Sequence, residues 1–159
     1  MMKKITDILG LKEKESAEIA GKLNQLLADY QMYYQNLRGF HWTILGEKFF
    51  VLHEKFEELY DDAVDKIDEI AERILTIGGT PIHTFEDYIK TATIKAEKNL
   101  TDAKSTVEAT LNNLGQLIAL EREILEMAGE ADDEGTAAQM SDYITGQEKV
   151  VWLLYSFAK

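Results

Sequence analysis

Two histidines and three acids stand where a metal ion could use them. His53 and Glu57 are four residues apart, as are Asp68 and Glu72, and His41 lies twelve residues before His53. On a helix, side chains at i and i+4 share a face, so each pair can present two ligands side by side. Imidazole nitrogen with carboxylate oxygen suits iron, manganese, cobalt or zinc, and ligand affinity alone does not select among them. A carboxylate-rich set accommodates the added charge when a ferrous ion becomes ferric, so oxidation of the metal is a natural chemistry for it. There is no HExxH pattern, Glu-x-x-His motif, nucleophile elbow, P-loop or dinucleotide fingerprint. With no cysteine, thiolate sites and thiol nucleophiles are excluded as well.

The two pairs cannot serve one ion within one chain. His53 and Asp68 are fifteen residues apart, about 22 Å along a helix axis, whereas metal–ligand bonds are only about 2 Å long. A second copy running antiparallel resolves this. A two-fold axis between residues 62 and 63 sets His53 opposite Glu72 and Glu57 opposite Asp68, and such a contact makes two identical sites at once.

The rest of the same helix supports a second neighbour. With His53 placed at 0°, Tyr60, Val64, Ala71 and Leu75 fall between roughly −20° and +40°, apart from the main apolar stripe near −75°. An apolar patch on a second side is most simply covered by another subunit. Glu54, Glu58, Asp61, Asp62, Asp65 and Glu69 also crowd this helix, and a solvated face is the ordinary role for any one of them. The histidines are scarcer, and two of the three in the chain converge on this seam.

The elements that must position these residues are helical. One proline and ten glycines interrupt 159 residues, 45% of them hydrophobic, which suits one domain spanning 1–159 with a short tail over 1–11. Apolar residues at helical spacing predict four helices. The first runs from about Lys12 to the 38–42 region, and the second from near Glu47 to the Gly78-Gly79-Thr80-Pro81 stop. The third runs from Thr101 or Asp102 to about Gly129, and the fourth starts around Asp133–Thr136. Short links make helices one and two, and three and four, antiparallel hairpins. About twenty residues join the hairpins, and Thr84 before Phe85-Glu86-Asp87 predicts a short helix there. An all-α, ferritin-like four-helix bundle with a helix in its long crossover is the expected fold.

Specific runs then carry a resemblance. Asn36-Leu37-Arg38-Gly39-Phe40-His41-Trp42, Gly46, Phe49-Phe50, the stretch Leu52 to Tyr60, and Asp68-Glu69-Ile70-Ala71-Glu72-Arg73 resemble the Dps family, the miniferritins. The likeness covers essentially the whole chain; the His–His interval and the Asp-x-x-x-Glu-Arg segment are its diagnostic parts. It implies a hollow dodecamer whose ferroxidase centres lie at two-fold interfaces. There Fe(II) is oxidised, preferentially by hydrogen peroxide, and stored as ferric mineral, which protects against oxidative damage. Residue by residue, the resemblance assigns His41, His53 and Glu57 to one subunit's half of the iron site, and Asp68 and Glu72 to the other half. The family often has Asp where Glu57 stands, and Glu is longer by one methylene.

The resemblance also implies roles for three further residues. An aromatic at Trp42 lies near the iron and could supply an electron or quench a radical; an indole filling an interface is the structural alternative. Carboxylates near the start of the fourth helix, Glu134 and Asp142, would line three-fold pores that draw iron inward. Their structural alternative is capping and compensation of the helix dipole. His83, in the crossover, reads as a surface histidine.

Two alternatives of another class remain open. One is a DNA-coating nucleoid protein of the same fold, since some Dps proteins bind DNA through lysine-rich tails. Here Lys3, Lys4, Lys12 and Lys14 face Asp7, Glu13 and Glu15, and the chain carries a net charge of −12, so weak or absent DNA binding is expected. The other is a purely structural helical oligomer. The basic N-terminus is interrupted by Asp7 before any apolar run, and no segment approaches a membrane span, which favours a cytoplasmic protein. The sequon at Asn99-Leu100-Thr101 is then accidental.

Overall fold

Capping side chains and glycines divide the chain into helices close to where the sequence places its breaks. The computed structural model describes residues 1–159 as six helices without strands: α1 (Ile5–Leu9), α2 (Glu13–Thr43), α3 (Phe49–Thr76), α4 (Phe85–Thr91), α5 (Ala103–Glu130) and α6 (Glu134–Ala158). Asp102 caps α5 by accepting from the Ser105 amide at 2.9 Å, Asp133 caps α6 by accepting from Thr136 N at 3.1 Å, and Thr84 caps α4 by accepting from Asp87 N at 3.2 Å. At the end of α3, Gly78 adopts φ +88° while Gly79 N donates to Ile74 O, closing the helix in a Schellman turn. Gly79 is also required by space: a Cβ there would stand 2.7 Å from that of Ala20.

Two boundaries differ from the sequence reading. The N-terminal tail contains a helical turn, α1, whose Thr6 is buried and which rests with Ile5 against the Gly78 end of α3. Gly10, at φ +72°, closes that turn. Helix α3 begins at Phe49 rather than Glu47, because Gly46 at φ +101° starts a tight turn in which Phe49 N donates to Gly46 O.

Helices α2 and α3 form one antiparallel hairpin, α5 and α6 the other, and α2 packs on α5. The core between them includes Leu23, Leu26, Leu27, Phe56, Ile70, Ile74, Leu117, Ile124 and Met140, all fully buried. Arg73 of α3 reaches the start of α6, donating to Asp133 Oδ1 and to the Thr136 hydroxyl.

The crossover has little regular structure, so its backbone polar groups need partners elsewhere. Three polar side chains of α2 supply them. Asn24 accepts from Ile82 N and donates to Thr80 O; Asp29, itself buried, accepts from Thr93 N, Thr93 Oγ1 and Ile94 N; Asn36 accepts from Glu97 N and donates to Lys95 O. The crossover is thereby held along the length of α2, and the ends of both hairpins keep their relative places.

Candidate metal centre

The turn after α2 brings its last histidine and the first histidine of α3 face to face. Ile44, buried, and the Leu45 N–H donating to Thr101 O anchor this turn. The imidazoles of His41 and His53 stack with centroids 3.7 Å apart and planes 15° apart. Each ring bonds the other's backbone: His41 Nδ1 lies 2.7 Å from His53 O, and His53 Nδ1 lies 2.7 Å from His41 O. A carbonyl oxygen can only accept, so Nδ1 carries the proton in both rings. In the neutral ring Nε2 then holds the free lone pair, the form in which histidine binds metal. His41 O is one of the carbonyls that the C-terminal turn of α2 leaves without a helical partner, which explains why it is available to His53.

Aromatic side chains hold the pair in place. Phe49, one turn before His53, stacks on it at 5.0 Å, and Tyr60 meets His41 edge-on at 5.3 Å. Tyr60 in turn meets Tyr34 at 6.0 Å, and the Arg38 guanidinium lies over both Tyr34 and Trp42. Partial burial first, then the nearby Glu57 and Asp61 carboxylates, raise the Tyr60 phenol above its ordinary range. The sequence reading placed Tyr60 on a second apolar side of the helix and named Phe49 only among the runs that carry the resemblance; neither was recognised as a wall of this site. Their distances of one and two turns from His53 were the available signal.

The acids are placed separately. Glu57 is exposed on α3 one turn after His53, and Asp68 and Glu72 are exposed further along the same helix. Within one chain no three His, Asp or Glu side chains gather closely enough to hold a metal ion. Val64 and Leu75 are exposed apolar residues beside these acids, and Trp42 is 59% exposed. Glu134 lies exposed in the first turn of α6 with Asp142 exposed two turns later, while the cap itself is Asp133. His83 is exposed in the crossover.

A second polar cluster, absent from the sequence reading, lies inside the bundle. Glu121 is fully buried; its Oε1 accepts from the Tyr30 hydroxyl at 2.7 Å and from Gln147 Nε2 at 2.8 Å. Its signal in the sequence was an acid on the stripe of Leu117, Leu120 and Ile124, a core-facing position. A cavity of about 420 Å³ between α3 and α6 reaches Tyr30 and Gln147 and does not include the histidines.

Burial pushes the Glu121 carboxyl from 4.5 up to about 7, against the lowering effect of Tyr30, Gln147 and Lys66; the Asp62 carboxylate adds to the rise. A folded pKa above the unfolded one gives stability that is complete below about pH 4.5 and is lost as pH rises through about 7. Glu121→Gln should therefore gain on the parent between pH 5 and pH 8, by at most about 3 kcal/mol. Denaturant unfolding at the two pH values measures it; a difference that does not change with pH would refute the assignment.

Comparisons with known proteins place these features. The ferritin-like domain model matches residues 20–159. A Porphyromonas gingivalis protein named DNA protection during starvation protein is 51% identical over 157 residues, covering 99% of each chain. The crystal structure of a Dps protein from Vibrio cholerae, described as a member of the ferritin-like diiron-carboxylate superfamily, superposes with a TM-score of 0.95 at 47% identity over the full length of both chains. A Dps structure from Bacillus brevis gives a TM-score of 0.90 at 38% identity, covering 94% of this chain and all of that one.

Proposed function

Because the chain belongs to the Dps family of ferritin-like proteins, we propose that it oxidises Fe(II), preferentially with hydrogen peroxide, and stores the ferric product inside a hollow dodecamer. The observation that carries this reading is the stacked histidine pair, with both Nδ1 protons tied to carbonyls and both Nε2 lone pairs left for a metal. Ferrous iron, the substrate, would be held by His41, His53 and Glu57 of one subunit together with Asp68 of the partner subunit and Glu72 of the partner subunit. The exposed apolar residues Val64 and Leu75 fit a face that a second copy covers.

The residues have divided tasks in this scheme. The imidazoles fix the ion at neutral pH without adding negative charge. The carboxylates compensate the third charge as the iron becomes ferric, and Phe49 and Tyr60 keep bulk water from one side of the rings. Trp42 would serve as a nearby electron source, and Glu134 and Asp142 would draw cations through a pore. Ferrous titration of the assembled protein with peroxide, combined with a mass measurement, tests the proposal. A closed oligomer that retains iron is expected; failure to oxidise iron above the protein-free background would refute it.

The relative's name raises DNA protection, which iron oxidation alone could provide by consuming peroxide and ferrous iron together. Direct DNA binding is a different matter. A chain charge of −12 opposes it, and Lys4, one of the few N-terminal cations, is already paired with Glu13 at 2.8 Å. No shift of plasmid DNA in a gel is expected at neutral pH and physiological salt; a clear shift would restore the nucleoid-coating alternative. No helix is long and apolar enough to cross a membrane, and we place the protein in the cytoplasm on this reading.

A further inference from the structure

The cavity of about 420 Å³ between α3 and α6 falls within the size range of small-molecule sites. Its walls are mostly hydrophobic, with Leu52 and Leu59 from α3, Leu114 from α5, and Val150 and Leu154 from α6. Tyr33 of α2 also lines it and is 3% exposed. The Tyr30 hydroxyl beside it donates to Glu121, whereas the Tyr33 hydroxyl meets no hydrogen-bonding partner in the chain. The buried side-chain polar atoms cut off from both partner and solvent are Glu121 Oε2, Gln139 Oε1 and Gln147 Oε1. Tyr33 is not among them, so its unpartnered hydroxyl opens on the cavity.

The chemistry of the lining narrows what can fill it. Burial first, then the Asp62 carboxylate, push the Tyr33 phenol well up, so it keeps its proton. It can therefore donate one hydrogen bond into an otherwise apolar space. Four charged residues of α3 share the lining, Lys55 paired with Glu58 and Lys66 with Asp62. Their charges cancel, so the cavity favours neither sign of ion, and the net charge of −12 opposes anions. Water would satisfy the phenol but leave the apolar walls wet. An apolar molecule with an acceptor oxygen satisfies both.

We propose that this cavity binds a neutral, mostly apolar small molecule whose carbonyl or hydroxyl oxygen accepts a hydrogen bond from Tyr33. The leucine and valine side chains take its apolar body. Gly146 of α6 leaves the rim open, since it lines the cavity and a Cβ there would meet nothing within 4 Å. With His53 of α3 at 0°, Lys55, Glu58, Asp62 and Lys66 fall between roughly 140° and 220°. The cavity thus lies on the side of α3 away from the two-fold contact, and its filling does not depend on that pairing. A molecule held there touches α2, α3, α5 and α6 together, so it stabilises the folded chain by mass action.

Equilibrium dialysis of the assembled protein against butyrophenone tests the site, with butylbenzene and 4-propylbenzoate as controls. The first probe carries a neutral acceptor oxygen, the second none, and the third a negative charge. Butyrophenone should bind saturably and about tenfold more tightly than 4-propylbenzoate. Tyr33→Phe deletes a hydroxyl that bonds nothing in the chain, so the fold is kept. It should weaken butyrophenone about fivefold or more while changing butylbenzene by less than about twofold. Gly146→Leu, which suits a helix better than glycine, should fill the rim and remove saturable binding of both. Equal effects of Tyr33→Phe on the two neutral probes overturn recognition by the phenol. Butyrophenone bound as tightly by Gly146→Leu as by the parent overturns the location, and tighter binding of 4-propylbenzoate overturns the neutral class. No saturable binding by the parent overturns the site altogether, the outcome expected if a neighbouring subunit covers the cavity.

Discussion

Replacing His41 and His53 together with alanine should slow peroxide-driven ferrous oxidation by about 100-fold or more, with the oligomer still assembled. Disturbing the groups that merely orient a metal ligand costs about 10–100-fold in affinity or activity, and this pair is proposed to be both ligand and orienting group. Each ring lends its Nδ1 proton to the other residue's carbonyl and leaves its Nε2 lone pair free. Assembly should persist, because the bundle core lies elsewhere, in residues such as Leu23, Phe56, Ile70 and Leu117. Stopped-flow absorbance of ferric product, with light scattering on the same sample, measures both quantities. Oxidation at the parent rate in an intact oligomer would favour the purely structural alternative.

Mixing a His53→Ala protein with a Glu72→Ala protein, each inactive alone, should restore about a quarter of the parent activity when subunits exchange at random. Half of the two-fold pairs are then mixed, and each mixed pair contains one site with both mutations and one with neither. The two residues lie nineteen positions apart on α3, so about 28 Å separates them along one helix. Ligands to one ion can combine over that distance only if Glu72 comes from the partner subunit. Native mass spectrometry verifies exchange; no recovery in demonstrably mixed oligomers would remove the shared site.

Much of the fold was legible because its signals are local. The Gly78–Pro81 stop, the caps at Asp102 and Asp133, and the Thr84 turn each lie within a few residues of the boundary they set. The histidine pairing was legible for the same reason, since a short turn joins α2 to α3. Features made by distant residues were not. Glu121 meets Tyr30 across 91 positions and Gln147 across 26, and no periodicity announces such a contact. Asn24, Asp29 and Asn36 looked like ordinary polar residues of α2 until the crossover lay against them. The start of α1 depended on Thr6 finding the Gly78 turn, a tertiary contact with no mark in the tail itself.

The mutual grip of His41 and His53 bears on how such a centre can change over generations. Losing one imidazole removes a ligand and also strips the remaining ring of the face it stacks on at 3.7 Å, leaving a single backbone carbonyl to orient it. The two single substitutions should therefore each do nearly as much harm as the pair, the signature of strongly coupled positions. On that expectation a lineage would have no half-working centre one step away, and the two histidines would be kept together or abandoned together.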